Sequence, residues 1–377
     1  MKVLVTGGLG FIGSHLISAN HEFVVMDNLN EQIHGDIPAG IDAQRLQALG
    51  TKVLRGDVTR LDDWERAVDG VDAIVHLAAE TGTAQSMYRI GHYNAVNSQG
   101  TALMFEALSR RRHSVRKVVL SSSRSVYGEG AYRCDCDAGT SLVYPRARLA
   151  IDLAKHIWDL HCPKCGKVVV HAPTPEDAPP QPASIYAATK LAQEDLVRLG
   201  CEALGIKSVI LRFQNVYGEG QSLNNPYTGI LSIFSTRIRR NADLPIFEDG
   251  EESRDFVHVS DVARAIGLAL ELEAENGVIF NVGSGYPVSV ASIARLLVKE
   301  LEGASEIKLT SQFRVGDIRH CYADLSRARA LLGFSPEISI ETGLERFVSW
   351  VKKQPLPEDR LDAANRELQD RGLMGGS

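Results

Sequence analysis

The chain has 377 residues, 44% hydrophobic and 23% charged, with a formal net charge of -6. That is the make-up of a soluble globular protein large enough for one big or two unequal domains, with no general attraction for nucleic acid or an anionic membrane. No apolar run approaches the ~20 residues of a bilayer span, and no signal-peptide pattern follows Met1, so a cytoplasmic protein is expected, whose six cysteines read first as thiols or metal ligands.

Lys2 to Thr6 is a short apolar run, followed by Gly7-Gly8-Leu9-Gly10-Phe11-Ile12-Gly13 and helix-forming residues. The spacing predicts a buried parallel strand, a glycine turn and a helix. Such a turn lets backbone N–H groups and a helix N-terminus approach a pyrophosphate, so dinucleotide binding is expected. The next strand, Glu22 to Met26, ends at Asp27, fourteen positions past Gly13. Its carboxylate is placed to hold the adenosine ribose hydroxyls and to repel a 2′-phosphate, which favours NAD over NADP.

Further strands are expected at Lys52 to Arg55, Ala73 to Ala79 and Val115 to Leu120, with helices near Asp62 to Val68 and Thr101 to Arg110. This alternation predicts an α/β fold, a Rossmann-type doubly wound parallel sheet with right-handed crossovers. Asp57 stands where a strand meets a loop and either reaches the adenine or is a solvated turn residue. His76 reads as a packed strand-end residue rather than a catalyst.

The fifth predicted strand runs into Ser121-Ser122-Ser123-Arg124-Ser125-Val126-Tyr127-Gly128. Later, Ser184-Ile-Tyr-Ala-Ala-Thr-Lys190 places Tyr186 and Lys190 four apart, on one face of a helix. A phenol titrates near ~10, and an adjacent ammonium favours its ionised form, so the pair can act as an acid/base unit. Glycine fingerprint, strand-end acid, serine cluster and Tyr-x-x-x-Lys, in that order, resemble the extended short-chain dehydrogenase/reductase family, in its nucleotide-sugar epimerase and dehydratase branch. The likeness runs over nearly the whole chain. It implies that Ser123 hydrogen-bonds the reacting hydroxyl, that Tyr186 is the base and that Lys190 anchors the nicotinamide ribose. It also implies a cofactor site of Gly7, Gly10, Phe11, Ile12, Gly13, Asp27, Asn28, Asp57, Val58, Leu77, Ala78 and Ala79, together with Tyr186 and Lys190.

Sixty-three positions separate Ser123 from Tyr186, more than in compact relatives, which marks an insertion over 129–183. It holds Cys134-Asp-Cys136 and Cys162-Pro-Lys-Cys165-Gly166. A Cys-Pro-x-Cys-Gly turn aims two thiolates at one point, and the other pair would complete a closed, structural four-sulfur zinc site in a segment too small to bury a core of its own. Reduced thiols and a redox pair stay open, and His161 is a possible substitute ligand. A Pro-rich stretch, Pro173 to Pro182, leads back to the tyrosine; the insertion reads as a lid or a dimer contact.

A strand at Ser208 to Arg212 precedes Phe213-Gln-Asn215-Val-Tyr217-Gly218, and Asn225-Pro-Tyr-Thr-Gly229 precedes an apolar helix through Arg237. By resemblance Asn215 meets the substrate diphosphate, Arg254 clamps it, Arg314 and Asp317 hold phosphate and nucleotide ribose, and Ser125 also faces the substrate. A guanidinium fork suits phosphate oxygens. Cys201 and Cys321 read as free cysteines. Helix patterns resume at Ser289 to Leu301 and Ile340 to Lys352, and the polar tail 355–377 reads as a loosely attached helix with a frayed end. The expected organisation is a dinucleotide-binding domain over 1–212, a smaller mixed α/β substrate-binding domain mainly over 213–354 with segments exchanged, and the tail.

In the dehydratases of this family an acidic pair follows the catalytic serine or threonine, whereas this chain has Arg124 and Ser125 there. Dehydration is thereby disfavoured, and Asp27 opposes an NADPH-fed reductase. What remains is an NDP-sugar 4-epimerase with recycled NAD, most similar in Gln85-Ser-Met-Tyr88, Asn225 to Gly229 and Arg314 to His320 to the dTDP-L-rhamnose 4-epimerase type. A dehydrogenase, a decarboxylase or a 3,5-epimerase would share these residues, and a non-catalytic NAD-binding scaffold is the reading from another class. The family also implies a homodimer through the helices near Thr101 and Tyr186.

Overall fold

Seven parallel strands carry the molecule: β1 (Lys2–Thr6), β2 (Glu22–Asp27), β3 (Lys52–Arg55), β4 (Ala73–His76), β5 (Lys117–Ser123), β6 (Lys207–Phe213) and β7 (Val278–Val282), in the spatial order β7-β6-β5-β4-β1-β2-β3. The structure, a computed structural model, describes residues 1–16, 21–34, 51–136, 141–225 and 229–376. Along β1, Val3 and Val5 join one apolar cluster and Leu4 the other. Burial on both faces is why these strands read as continuous apolar runs rather than alternating ones. Replacing the fully buried Leu4 by Ala would cost roughly 2–5 kcal/mol. Strand order reverses between β1 and β4, and in such Rossmann-type sheets ligands bind at the carboxyl ends beside that point.

The helix Val259–Glu271 packs Val262, Ala265 and Ile266 under this sheet, and β7 closes its edge. Both come from beyond residue 212, so the layer around the seven-stranded sheet is built from two stretches of chain. A third cluster, with Tyr217, Phe234, Ile293, Leu297 and Phe347, lies between the helices Ile230–Arg239, Val290–Leu301 and Ile340–Val351 and small sheets that include Ser253–His258. Of the stretch from Asn225 to Gly229, Pro226, Tyr227 and Thr228 lie outside the described residues.

The insertion forms a three-stranded antiparallel sheet, Ser141–Val143, Tyr132–Cys134 and Val170–His171, over a small core of Tyr132, Val143, Leu160 and Val169. Buried charges clamp it to the chain beyond residue 212. Arg148 donates to Glu129 Oε1 at 3.3 Å, Glu248 Oε2 at 2.7 Å and the Asp317 carbonyl at 3.3 Å. Arg319 in turn donates to Asp159 at 3.1 Å and to Asp249 at 2.6 Å.

The expected loose attachment of the tail is corrected by the structure. The helix Leu361–Asp370 buries Leu361, Ala364 and Leu368, Arg237 donates to Asp359 at 2.9 Å and Asp362 at 3.0 Å, and Met374–Gly375 pairs antiparallel with Phe313–Arg314. A polar composition hid a regularly spaced apolar stripe.

Candidate active site

One cavity of about 1250 Å³ runs from the glycine turn, past the carboxyl ends of β1, β4 and β5, into the cleft against the second unit. At Gly7 φ is +67°, and an added Cβ would stand 2.9 Å from the Ala78 nitrogen. At Gly13 it would stand 2.5 Å from the Gly8 Cα. Any side chain there would push the helix off the turn, so the sequence spacing is a steric requirement. Gly7, Gly10, Phe11, Ile12, Gly13, Asp27, Asn28, Val58, Leu77, Ala78 and Ala79 all line the cavity. Asp27 is nearly buried and accepts from the Leu9 nitrogen at 3.1 Å and the Leu29 nitrogen at 2.9 Å, which ties the glycine turn to the end of β2.

Asp57 does not line the cavity. Its carboxylate accepts from the Thr59 nitrogen at 2.8 Å, the Thr59 hydroxyl at 2.7 Å and the Asn28 amide at 3.1 Å. Burial works to raise its pKa, but these bonds hold it below the usual value. Its effect on the cavity runs through Asn28.

Ser123 ends β5, in register with Phe213 of β6, and its Oγ accepts from the Ser125 nitrogen at 3.2 Å. Tyr186 sits in the first turn of the helix Ile185–Leu204, which Ser184 caps by accepting from the Ala187 nitrogen at 3.1 Å. The Tyr186 nitrogen donates to Ser86 Oγ at 3.0 Å. Across 63 positions of sequence, strand end and helix start bring Ser123 and Tyr186 to the wall of one cavity, where the serine side chain acts on the phenol. Burial raises the phenol's pKa, while Ser123 and the Arg124 guanidinium work to lower it. The Arg124 guanidinium also interacts with Arg254 and Asp317. Sequence reading noticed Arg124 only as the absence of an acid.

Lys190 lines the cavity, and its ammonium donates to Gln193 Oε1 at 2.6 Å. Burial pulls its pKa down to about 7, with Glu194 opposing. Behind it lies a buried chain of polar groups. Thr101 spends its one proton on the Asn97 carbonyl at 2.7 Å, so at 3.0 Å it accepts from His76 Nε2, and the neutral ring's Nδ1 accepts from Thr6 Oγ1 at 2.8 Å, which itself accepts from the Ala78 nitrogen at 3.2 Å. The network therefore assigns the His76 proton to Nε2. Thr101 also accepts from Gln193 Nε2 at 2.7 Å. Burial, helped by the Lys190 charge, pushes the His76 pKa down to about 3, in keeping with a packed, neutral ring. Gln193, three positions beyond Lys190, could have been found from helical spacing alone.

On the other side of the cleft, Arg254 Nη2 donates to Asp317 Oδ1 at 2.8 Å, and the Arg314 guanidinium lies 4.7 Å from the centre of the Phe247 ring. Burial works to raise the Asp317 pKa, yet Arg254, Arg314 and Arg124 hold it below the usual carboxylate range. Ser125 Oγ, both amide atoms of Gln214, Asn215 Oδ1, Glu252 Oε2 and Arg314 Nε are buried without a protein partner, and these residues line the cavity. Buried polar atoms are normally paired, so this set marks a surface built for a polyhydroxylated, anionic ligand. Gln214 and Glu252 were missed, because nothing local distinguishes a buried amide or acid from an exposed one.

The four cysteines of the insertion converge away from the cavity: Cys134 Sγ is 3.5 Å from Cys165 Sγ, Cys136 Sγ is 3.8 Å from Cys162 Sγ, and all four sulfurs lie within 4.8 Å of one another. A tetrahedron of thiolates ~2.3 Å from a zinc ion has edges of about 3.8 Å, so the set fits that ion. The backbone nitrogens of Cys165 and Lys164 hydrogen-bond Cys162 Sγ and, against the effect of burial, lower its pKa to about 6. His161 is not in the group, and Cys201 and Cys321 are buried and free.

Over residues 3–159 and 163–283 the chain matches the model of the NAD dependent epimerase/dehydratase family. It is 40% identical over 361 residues, 94% of this chain and 95% of the relative, to the dTDP-L-rhamnose 4-epimerase of Burkholderia thailandensis. Among solved structures it resembles the UDP-glucose 4-epimerase of Thermotoga maritima with UDP-glucose, at a TM-score of 0.74 and 28% identity, covering 94% of this chain and 99% of that one. The UDP-glucuronic acid 4-epimerase of Bacillus cereus, in complex with UDP-glucuronic acid and NAD, is similar at a TM-score of 0.73 and 27% identity, with 94% and 99% covered.

Proposed function

This chain belongs to the NAD dependent epimerase/dehydratase family, and we propose that it is an NDP-sugar 4-epimerase acting on dTDP-L-rhamnose or a related deoxysugar nucleotide. The observation that carries the reading is the convergence of Ser123, Tyr186 and Lys190 on one cavity that also holds the glycine turn and Arg254. Residues 1–212 mainly hold the dinucleotide and 213–354 mainly the sugar nucleotide, with Asn215, Arg254, Arg314 and Asp317 toward its phosphates and ribose and Ser125 toward the sugar. The 40% identity to a dTDP-L-rhamnose 4-epimerase supports the choice of sugar nucleotide.

NAD, when bound, would supply the hydride acceptor for oxidation at the sugar C4 and the donor for the return. Tyr186, with Ser123 hydrogen-bonded to the same hydroxyl, takes the C4 hydroxyl proton as that carbon becomes a ketone. Once the 4-keto sugar has turned in the cavity, Tyr186 would return the proton to the C4 oxygen as the carbon is reduced on its other face. Arg124 favours the ionised phenol without supplying the acid that elimination would need. Lys190, held by Gln193, faces the nicotinamide ribose.

The same reading takes the four cysteines as a structural zinc site that stabilises the insertion. It makes the protein a cytoplasmic homodimer paired through the helices Gly100–Ser109 and Ile185–Leu204, where Leu199 is 54% exposed and would be covered.

The test is product analysis by NMR: purified protein without added cofactor, incubated separately with dTDP-L-rhamnose, UDP-glucose, UDP-glucuronate and GDP-mannose. Conversion of one of them to its C4 epimer is expected, and its loss in Tyr186→Phe. If nothing converts until NAD is added and NADH then accumulates, the enzyme is a net dehydrogenase and the reading is wrong.

A further inference from the structure

The carboxyl-terminal segment borders the cavity and packs against residues that line it. Pro357 and Leu361 line it. Asn365 Oδ1 accepts from Arg314 Nη2 at 3.0 Å. Beyond the helix, Arg314 is in register with Met374, and the Val315 nitrogen donates to the Leu373 carbonyl at 3.0 Å. The tail therefore grips Arg314 by side chain and by backbone, while its Nε stays buried and unpaired at the cavity wall. Arg371 then crosses to the other unit, its guanidinium 4.1 Å from the centre of the Tyr88 ring. Tyr88 closely follows the helix Thr83–Ser86, whose Thr83 and Ala84 line the cavity and whose Ser86 accepts from the Tyr186 nitrogen.

We propose that residues 357–375 are a strap of the substrate site, which aims Arg314 at a nucleoside diphosphate and, through Arg371 on Tyr88, ties that end of the cleft to the catalytic end. The proposal rests on the reading of Arg314 as a nucleotide ligand. A free arginine samples many rotamers, and a ligand must fix it on binding. Asn365 and the Phe247 ring fix it beforehand. Asn365 and Arg371 are positioning residues, acting through Arg314 and Tyr88.

The experiment uses the full-length holoenzyme, with calorimetric titration of dTDP and UDP as probes and steady-state kinetics on the converted sugar nucleotide. Asn365→Ala is expected to weaken probe binding and to raise KM about tenfold, the loss of a hydrogen bond to a charged group, with kcat held within about twofold. Asn365→Asp keeps the acceptor and restores binding. In an Arg314→Ala background, Asn365→Ala adds less than about twofold, because its target is gone. Arg371→Ala and Tyr88→Ala each raise KM a few-fold, and the double variant is no worse than either. Probe binding by Asn365→Ala within twofold of wild type, while Arg314→Ala binds weakly, overturns the strap alone. A full additional Asn365 effect in the Arg314→Ala background also overturns it. Unchanged binding by Arg314→Ala itself overturns the reading of Arg314, and the proposal with it.

Discussion

Gln193 receives the Lys190 ammonium at 2.6 Å and cannot turn its amide over, because its Nε2 is committed to Thr101 at 2.7 Å. The buried lysine is thus held from behind, by a chain that begins on β1.

Lys190 makes folding pH-dependent in a direction that can be worked out. Burial lowers its pKa to about 7 from an ordinary value of 10.5, so between those pH values the folded chain binds fewer protons than the unfolded one. Stability contributed by this site rises with pH across that window, and the penalty is complete below pH 7. Lys190→Met should therefore gain stability over wild type most at pH 6. The gain should shrink toward pH 10 by at most ~1.4 kcal/mol per unit. Thermal melts of both proteins across this range check it; a gain that does not vary with pH refutes it.

Asp27→Ser removes the acceptor of the Leu9 and Leu29 nitrogens together with the charge facing the ribose site. NAD affinity should fall about tenfold, and the preference over NADP should narrow, because the repulsion of a 2′-phosphate is gone. Titration of cofactor-stripped protein with each dinucleotide measures both. An unchanged preference would remove Asp27 from the discrimination.

For the cysteine cluster, the expected metal content is about one zinc per chain, with no change in Cys201→Ser and loss in Cys162→Ser. Elemental analysis after dialysis decides, together with the melting temperature, which should fall with the metal. Full stability in Cys162→Ser would mean that the insertion folds on packing and ion pairs alone.

Arg148→Ala leaves Glu129 buried without a side-chain cation and Glu248 with Arg319 alone, at 3.3 Å. The expected loss is about 3–5 kcal/mol, and Glu129→Gln with Glu248→Gln in the same chain should restore part of it. Denaturant unfolding midpoints are the readout. A loss below about 1 kcal/mol would show that water reaches the pair.

The parts of the fold legible in the sequence are those written in local period and local sterics. The runs at Val3 to Val5 and Ile74 to Val75 announce strands buried on both faces, and Gly7 and Gly13 announce a turn that no side chain fits. Ser123 and Tyr186 were found as a pair only through resemblance, since no local rule joins residues 63 positions apart. The rest depends on burial that only tertiary structure decides. Arg148 and Arg319 look like surface arginines until their carboxylates are seen. The tail looked loose because Leu361, Ala364 and Leu368 are thinly spaced among charges, and Arg237, their anchor, lies in another helix.

Ser123 takes its position from the sheet, and Tyr186 takes its own from a helix capped by Ser184 and tied to Ser86. The relative position of Ser123 and Tyr186 is therefore set by the sheet, the helix and the few residues adjoining them, and not by the insertion that lies between. A genetic change in the length of the insertion can be accepted or rejected on what it does to the wall it packs against, with Ser123 and Tyr186 left in place. The insertion is a place where a lineage can acquire a new specificity while keeping its old chemistry.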